Sequence, residues 1–287
     1  MYRTIILTGI PRSGTSLACN LLNKYENTIA LLEPMKVFES DPMKGNLAAC
    51  KDIVDFVFKS RTDILYKSKI TTGQINGKIG DNTFEQKTDA TNTLRKAIVK
   101  NGELTIEQDV EKDFNLILKH PAFFTVLLDD IQNFFECYAM IRNPLSMLAS
   151  WNTIDVPINR GRIPAAERYD ESLSNMLDSI PDRIDRQIYI LNWFFKKYKD
   201  CLDNLHIIKY ENLIEDNGLS LSELSYNHKI KSGHSIQKLQ SKNINHQYQD
   251  VNVTLLYNKL ISDRFGAYLE FYTISEIDEV YEQMNAL

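Results

Sequence analysis

The sequence predicts an α/β fold with a central parallel β-sheet. Short apolar runs of strand length recur along the 287 residues, and segments with helical spacing lie between them. Strands that alternate with helices in this way form βαβ units, in which the strands are parallel and helices cover the faces of the sheet. The composition is that of a globular chain, since 43% of the residues are hydrophobic and 25% are charged.

Five apolar runs have the length and composition of strands. They are residues 4–8, 28–32, 115–118, 137–141 and 206–209. The clearest helix is predicted for 182–200, where apolar side chains are spaced alternately four and three residues apart and form one stripe. A second amphipathic helix is predicted for 275–287. The stripe of the first helix is expected to pack on the sheet.

One stretch interrupts the alternation of strands and helices. Residues 67–83 contain three glycines and have little periodicity, which indicates a loop or hairpin. No Pro/Gly-rich linker marks a domain boundary. We therefore expect a single domain over 1–287, with an insertion at about 60–110 and a helical C-terminal part at about 215–287.

Charge and cysteine usage exclude several classes of function. The chain has 33 Lys and Arg against 38 Asp and Glu, a net charge of -5, which argues against a general nucleic-acid binder. No apolar run reaches the roughly 18–20 residues that cross a bilayer, and the first residues form a strand instead of a cleaved signal. The four cysteines are far apart and lack a CxxC pair, so neither zinc nor a disulfide framework is indicated. We expect a cytoplasmic protein with no nucleic-acid, membrane or metal partner.

The most informative motif is GIPRSGTS at residues 9–16, which lies between the first strand and an amphipathic helical run. Glycines at both ends allow close approach of the backbone, and the helix N-terminus presents N–H groups to an anion. The residues predicted to surround that anion are Pro11, Arg12, Ser13, Gly14, Thr15 and Ser16. The spacing matches the nucleotide P-loop, and the fold is therefore predicted to be P-loop NTPase-like, with three α/β/α layers and helical or loop insertions. Thr15 stands where ATPases place lysine, which argues against ordinary ATP hydrolysis.

A second motif follows the fourth strand. Arg142, Asn143 and Pro144 come directly after residues 137–141, and Ser150 follows Arg142 by eight residues. A guanidinium and a hydroxyl suit a phosphate monoester. A further basic segment at 228–242 includes Lys231 and contains no acidic residue. The sequence therefore predicts a second anion site, separate from the first.

Together the two motifs, GIPRSGTS and MIRNPLSMLASW, resemble those of the soluble sulfotransferase family. The resemblance covers about residues 1–215. It implies that residues 11–16 hold the 5′-phosphosulfate of 3′-phosphoadenosine 5′-phosphosulfate (PAPS), and that Arg12 neutralises the leaving phosphate oxygen. It also implies that Arg142 and Ser150 bind the 3′-phosphate and that Lys231 lies in a loop over it. The co-substrate would be PAPS, the product 3′,5′-ADP, and no metal would be required.

The catalytic base has two candidates. Lys119 and His120 end the third predicted strand, at the sheet edge where open α/β sheets bind ligands. They resemble the family's Lys-Thr-His segment with one residue fewer. This implies that His120 takes the acceptor proton and that Lys119 stabilises the leaving group or the sulfonate. Glu33, after the second strand, is the alternative base, as in some bacterial members.

The predicted function is transfer of the sulfuryl group from PAPS to a hydroxyl or amine of a small molecule by in-line displacement. An acidic chain favours a cationic acceptor, such as an amine or guanidinium natural product, over a polyanionic glycan. Two alternatives remain open. Residues 126–130 (VLLDD) mimic the strand of a P-loop kinase or NTPase, although 122–135 has helical spacing. The second alternative is a nucleotide-binding module without catalytic activity.

Overall fold

The computed structural model describes residues 3–39, 41–86, 94–107 and 109–286. Its core is a five-stranded sheet in the order β2-β5-β1-β6-β7, and every neighbouring pair is parallel. These strands are β1 (Thr4–Gly9), β2 (Thr28–Leu32), β5 (Asn115–Lys119), β6 (Glu136–Ile141) and β7 (Leu205–Lys209). The remaining two strands, β3 (Lys69–Gln74) and β4 (Lys100–Thr105), form a separate antiparallel pair. The predicted α/β fold with a central parallel sheet is confirmed.

Helices flank the sheet. Those among the described residues are α1 (Thr15–Leu22), α2 (Asn46–Lys67), α3 (Pro121–Val126), α4 (Leu128–Ile131), α5 (Pro144–Trp151), α6 (Pro164–Glu167), α7 (Glu171–Ser179), α8 (Arg183–Asp200), α9 (Tyr210–Glu215), α10 (Val253–Ser262) and α11 (Ile274–Asn285). None of these helices is long and apolar enough to span a membrane. Both predicted helices are confirmed, as α8 and α11, with Leu287 outside the described residues. Residues 126–130 lie within or between α3 and α4, so they form no Walker B strand.

The sheet is buried on both faces, which explains its continuous apolar runs. All residues of β1, β2 and β5 are buried. The eight residues of α5 are buried as well, so this helix passes through the core beside the sheet. All four cysteines are buried, and none of them forms a disulfide. Because the five strands are parallel, their carboxyl ends meet at one edge, where both motifs begin.

Of the two predicted alternatives for the insertion, a loop or a hairpin, the structure has regular antiparallel strands with a tight turn. Residues 69–74 form β3, and a tight turn at 75–78 follows, bridged between Ile75 and Lys78. Thr72 joins this small sheet to the central one, because its hydroxyl donates to the Leu32 carbonyl at 3.1 Å and accepts from the Leu32 N–H at 2.9 Å. The small sheet therefore stands beside the end of β2 and forms one wall of the cleft described next.

Candidate active site

A cleft of about 900 Å³ opens at the carboxyl edge of the central sheet. This is the edge where open α/β sheets bind ligands, and the volume is that of a site for a nucleotide and a second small molecule. Its wall combines the GIPRSGTS loop, the ends of β2 and β5, the insertion, and residues 237–248. The sequence motifs from distant parts of the chain are thus brought to a single cavity.

The GIPRSGTS loop is held tightly against the core. Gly14 caps α1 with a φ of 97°, and a Cβ at this position would lie 2.8 Å from a ring carbon of Tyr210. Trp151 donates from its indole Nε1 to the Pro11 carbonyl at 2.7 Å. The first N–H groups of α1 have no partner within the helix and remain available to an anion. Glycine is therefore required at position 14 by both backbone conformation and space.

Most of the predicted loop residues line the cleft, but one side chain does not. Pro11, Arg12, Gly14, Thr15 and Ser16 contribute to its surface. The hydroxyl of Ser13 is fully buried and has no hydrogen-bond partner among the described residues. The Ser13 N–H donates to the Ile10 carbonyl at 3.0 Å. Ser13 therefore lies behind the cleft surface and closes the turn of the loop, which corrects its predicted position around the anion.

Arg12 is a half-buried arginine that lines the cleft. Its Nε donates to the Ser150 hydroxyl at 3.1 Å, and its Nη1 donates to Oδ1 of Asn82 at 3.3 Å. The guanidinium carbon lies 4.7 Å from the centre of the Phe84 ring. Burial, followed by the charge of Arg95 and, against the opposing effect of tyrosines, that of Arg142, lowers the pKa of Arg12 to about 10. Arg12 is still a cation at neutral pH, and an anion beside it would be strongly stabilised.

Arg142 reaches the same loop. It donates to Asn243 Oδ1 at 2.7 Å, to the Arg12 carbonyl at 3.1 Å and to the Tyr248 hydroxyl at 3.4 Å, and it also donates to the Lys242 carbonyl. These bonds occupy four of the five N–H groups of a guanidinium. Since Ser150 also bonds to Arg12, the two predicted anion sites are not separate: they meet at Arg12.

A carboxylate that the sequence reasoning left without a role holds this region together. Glu211 Oε1 accepts from the Asn143 N–H at 2.9 Å and from Nδ2 of Asn243 at 2.8 Å, while Oε2 accepts from the Tyr272 hydroxyl at 2.8 Å. Asn143 in turn caps α5. The sequence signal was the Tyr-Glu pair after the last strand. Glu211 fixes Asn243, and through it the guanidinium of Arg142.

The three candidate catalytic side chains beyond the loop come together because β2 and β5 are neighbours. Leu32 pairs with Lys119, so Glu33 follows directly beside it. The Lys119 Nζ lies 2.6 Å from Glu33 Oε1, and the lysine side chain is 4% exposed. Desolvation acts to raise the pKa of Glu33, but the charges of Lys119 and His120 and the hydrogen bond from Lys119 lower it to about 2. Glu33 is therefore an ionised carboxylate and a very weak base.

His120 lies in the cleft wall with its ring packed on aromatic side chains. The ring centres of Phe123 and Phe124 are 5.4 and 5.7 Å away. Burial lowers the pKa of His120 to about 4, despite the opposing charge of Glu33. Nδ1 is buried and without a hydrogen-bond partner in the described part of the chain, which leaves Nε2 as the ring nitrogen that can reach a molecule in the cleft. At neutral pH this imidazole is uncharged and can accept a proton.

The structure places Lys231 outside the cleft, which corrects its predicted position over the donor. Its Nζ donates to the Asn23 carbonyl at 2.6 Å, and the residue borders a separate, smaller cavity. Lys238 and Lys242 of the same basic segment do line the cleft. The basic composition of the segment thus indicated that it contributes to the cleft. The prediction that Lys231 is the contributing lysine was wrong.

The insertion supplies cleft residues that the sequence reasoning missed. Asn82, Phe84 and Arg95 all line the cavity near Arg12. No local motif marks them, because they reach the site through the packing of the insertion against the core. In the ranges that the structure describes, no group of three or more His, Cys, Asp or Glu side chains could hold a metal ion.

No protein-family model and no curated protein matches the sequence. Among solved structures, the chain is similar to a sulfotransferase from Mycobacterium tuberculosis H37Rv, with a TM-score of 0.38 and 12% sequence identity. The match covers 100% of this chain and 77% of that chain.

Proposed function

We propose that the protein is a sulfotransferase that moves the sulfuryl group of PAPS to a hydroxyl or amine of a small molecule. The observation that carries the proposal is the joint placement of the GIPRSGTS loop, the guanidiniums of Arg12 and Arg142 and a neutral histidine in one cleft. Sulfuryl transfer needs cations at the leaving phosphate and a base at the acceptor. It needs neither the P-loop lysine, replaced here by Thr15, nor a metal ion.

The donor would lie along the loop, with its 5′-phosphosulfate on the N-terminus of α1 and beside Arg12. Ser150 accepts a hydrogen bond from Arg12 but is buried behind the cleft surface, so it would act on the donor by positioning Arg12. Arg142 has one N–H group left for the 3′-phosphate, and Lys238 and Lys242 add positive charge in the same wall. These contacts suit a doubly phosphorylated adenosine better than a nucleotide with a single phosphate group.

In the proposed step, the acceptor oxygen or nitrogen attacks sulfur opposite the leaving phosphate. A bond from the acceptor to sulfur forms while the bond between sulfur and the bridging oxygen breaks, and the electron pair stays on the 5′-phosphate of 3′,5′-ADP. The acceptor proton passes to Nε2 of His120. Arg12 offsets the charge that develops on the bridging oxygen.

His120 is favoured over Glu33 as the base. A carboxylate with a pKa of about 2 that is already paired with a lysine has little tendency to take a proton. The neutral imidazole has the higher pKa of the two. Glu33 instead holds the buried ammonium of Lys119 in the wall, where its charge can stabilise the transferring sulfonate.

Part of the cleft wall is apolar and would receive the acceptor. It includes Phe38, Ile158, Ile163, Pro164 and Ala165. This surface favours an acceptor with an apolar body that presents one hydroxyl or amine toward His120. The cationic character of the acceptor and the cytoplasmic location stay predictions, because no contact among the described residues tests them.

The test is transfer of ³⁵S from labelled PAPS into a metabolite extract. We expect the wild-type protein to label at least one small molecule and His120→Gln to label it at least about 100-fold more slowly, as loss of a general base does. An exposed histidine, changed in His234→Gln, is the matched control and should leave the rate unchanged. Tight PAPS binding without label transfer would favour the module without catalytic activity. A Mg²⁺-dependent ATPase rate would favour the kinase or NTPase alternative.

A further inference from the structure

A further arginine, Arg95, is buried in the cleft wall and has no assigned role. Its backbone is fixed on both sides: its N–H donates to the Thr153 carbonyl and its carbonyl accepts from the Asp155 N–H, both at 2.9 Å. The residue is 5% exposed and lines the cavity. Its position is thus set by the turn that follows α5, the helix that carries Ser150.

The side chain of Arg95 has few hydrogen bonds for a buried cation. Its Nη2 donates to the Thr153 hydroxyl at 2.6 Å. Its Nε is buried and has no hydrogen-bond partner among the described residues. A buried donor without a partner is destabilising, and a buried charge without a counter-charge is more so. An anion in the cleft, which Arg95 lines, would supply that counter-charge.

A chain of hydrogen bonds sets Arg95 beside Arg12. Thr153 donates from its hydroxyl to the Ser150 carbonyl at 2.8 Å, and the Ser150 hydroxyl accepts from Nε of Arg12 at 3.1 Å. The guanidiniums of Arg12 and Arg95 are therefore bonded to the side chains at the two ends of a single turn, Ser150 and Thr153. Mutual repulsion follows, since the charge of Arg95 contributes to the lowered pKa of Arg12. Like charges held this close in a cavity indicate an anion between them.

We propose that Arg95 is a further donor-binding residue, which grips the 5′-phosphosulfate of PAPS together with Arg12. The assignment of PAPS rests on the proposed function, whereas the assignment of an anionic ligand rests on the geometry alone. The terminal N–H groups of Arg95 that Thr153 leaves unbonded would donate to the sulfonate or phosphate oxygens. Arg95 would then hold the group that is transferred, from the side of the cleft formed by the insertion.

Equilibrium binding of PAPS, 3′,5′-ADP and inorganic pyrophosphate to the full chain tests this assignment. We expect Arg95→Gln to weaken PAPS about 10- to 100-fold, the loss of a charge-assisted contact, and to weaken 3′,5′-ADP less, because it lacks the sulfonate. Arg95→Lys keeps the charge but not the fork, so we expect it to recover part of the PAPS affinity. Arg160→Gln removes an exposed arginine that pairs with Asp155 and should change nothing. If Arg95→Gln fails to fold, Arg95→Lys carries the test. We expect it to bind PAPS three- to tenfold more weakly than the wild type.

The outcomes separate this inference from the proposed function. The role of Arg95 is overturned if Arg95→Gln binds PAPS with wild-type affinity. Where only Arg95→Lys folds, wild-type affinity in that variant overturns it. Either result leaves the sulfotransferase proposal standing. If the wild type binds pyrophosphate but neither adenosine ligand, and Arg95→Gln abolishes that binding, the anion site stands and the proposed function fails. Absence of binding by all three ligands overturns both.

Discussion

Acid should destabilise the folded protein through His120. Its pKa is lowered from 6.5 to about 4 in the folded state because the ring is 9% exposed. Between these two values the unfolded chain binds a proton that the folded chain does not. Stability is therefore fully present above pH 6.5 and is lost as the pH falls toward 4. From pH 7 to pH 4.5 the shift corresponds to about 2–3 kcal/mol of unfolding free energy.

Urea denaturation at pH 7, 6, 5 and 4.5 measures this loss. His120→Gln removes the titrating ring, so the free energy of unfolding of the wild type should fall relative to that of the variant by about 2–3 kcal/mol across the series. The window stops at pH 4.5 because Glu33, with a pKa of about 2 against an ordinary 4.5, loses its contribution below that pH.

A matched control uses a histidine on the surface. His234 is exposed, and the His234→Gln variant should follow the wild-type pH dependence. The reasoning is refuted if the difference between wild type and His120→Gln is constant from pH 7 to pH 4.5. A constant difference would mean that the ring is protonated equally in the folded and unfolded chains, and that His120 is not the desolvated base required here.

Three further variants test the loop and the ion pair. Gly14→Ala should lower stability by about 1–3 kcal/mol more than Gly45→Ala in thermal unfolding, because both have positive φ but only Gly14 lacks space for a Cβ; equal losses contradict this. Trp151→Phe, which removes the bond to the Pro11 carbonyl, should cost about 1–3 kcal/mol in urea unfolding and weaken PAPS in calorimetry; unchanged values for both contradict the anchoring role. Glu33→Gln leaves a buried ammonium without its carboxylate, so chemical denaturation should show a loss of about 1–3 kcal/mol, and wild-type stability would contradict the pairing.

The sheet could be predicted from the sequence because four of its five strands are almost fully buried, and only the edge strand β7 is partly exposed. Burial of this kind requires apolar runs, and the five runs coincide with the five strands to within one or two residues. The helical spacing of 122–135 likewise excluded a strand at 126–130, and the structure has α3 and α4 there. Local periodicity was sufficient for these elements.

The second wall of the cleft could not be predicted in the same way. Arg95 and Asn82 belong to the insertion, and their contacts join residues 58 to 70 positions apart in the chain. Lys231 shows the same limit, because only the tertiary path of the basic segment decides which lysine faces the cleft. Spacing within a motif places residues on one element, but contacts between elements depend on packing that the sequence pattern does not encode.

The meeting of Arg142 with Arg12 is a related case. The position of Arg142 at the end of β6 follows from the sequence, and β6 lies beside β1. Three of its four hydrogen bonds depend on Asn243, Lys242 and Tyr248, about 100 residues later. Arg142→Ala would therefore leave several buried acceptors without a donor and destabilise the fold. Arg142→Lys, which keeps the charge, is the more informative variant.

Calorimetric titration of the wild-type chain with 3′,5′-ADP and 5′-AMP tests most directly whether the cleft is built for a doubly phosphorylated adenosine donor. Arg142, Lys238 and Lys242 lie in the wall where the second phosphate would bind, and one charge-assisted contact changes affinity about tenfold or more. The proposed function predicts that 3′,5′-ADP binds at least about tenfold more tightly than 5′-AMP, and that this preference shrinks in Arg142→Lys. Equal affinities for the two nucleotides would contradict it.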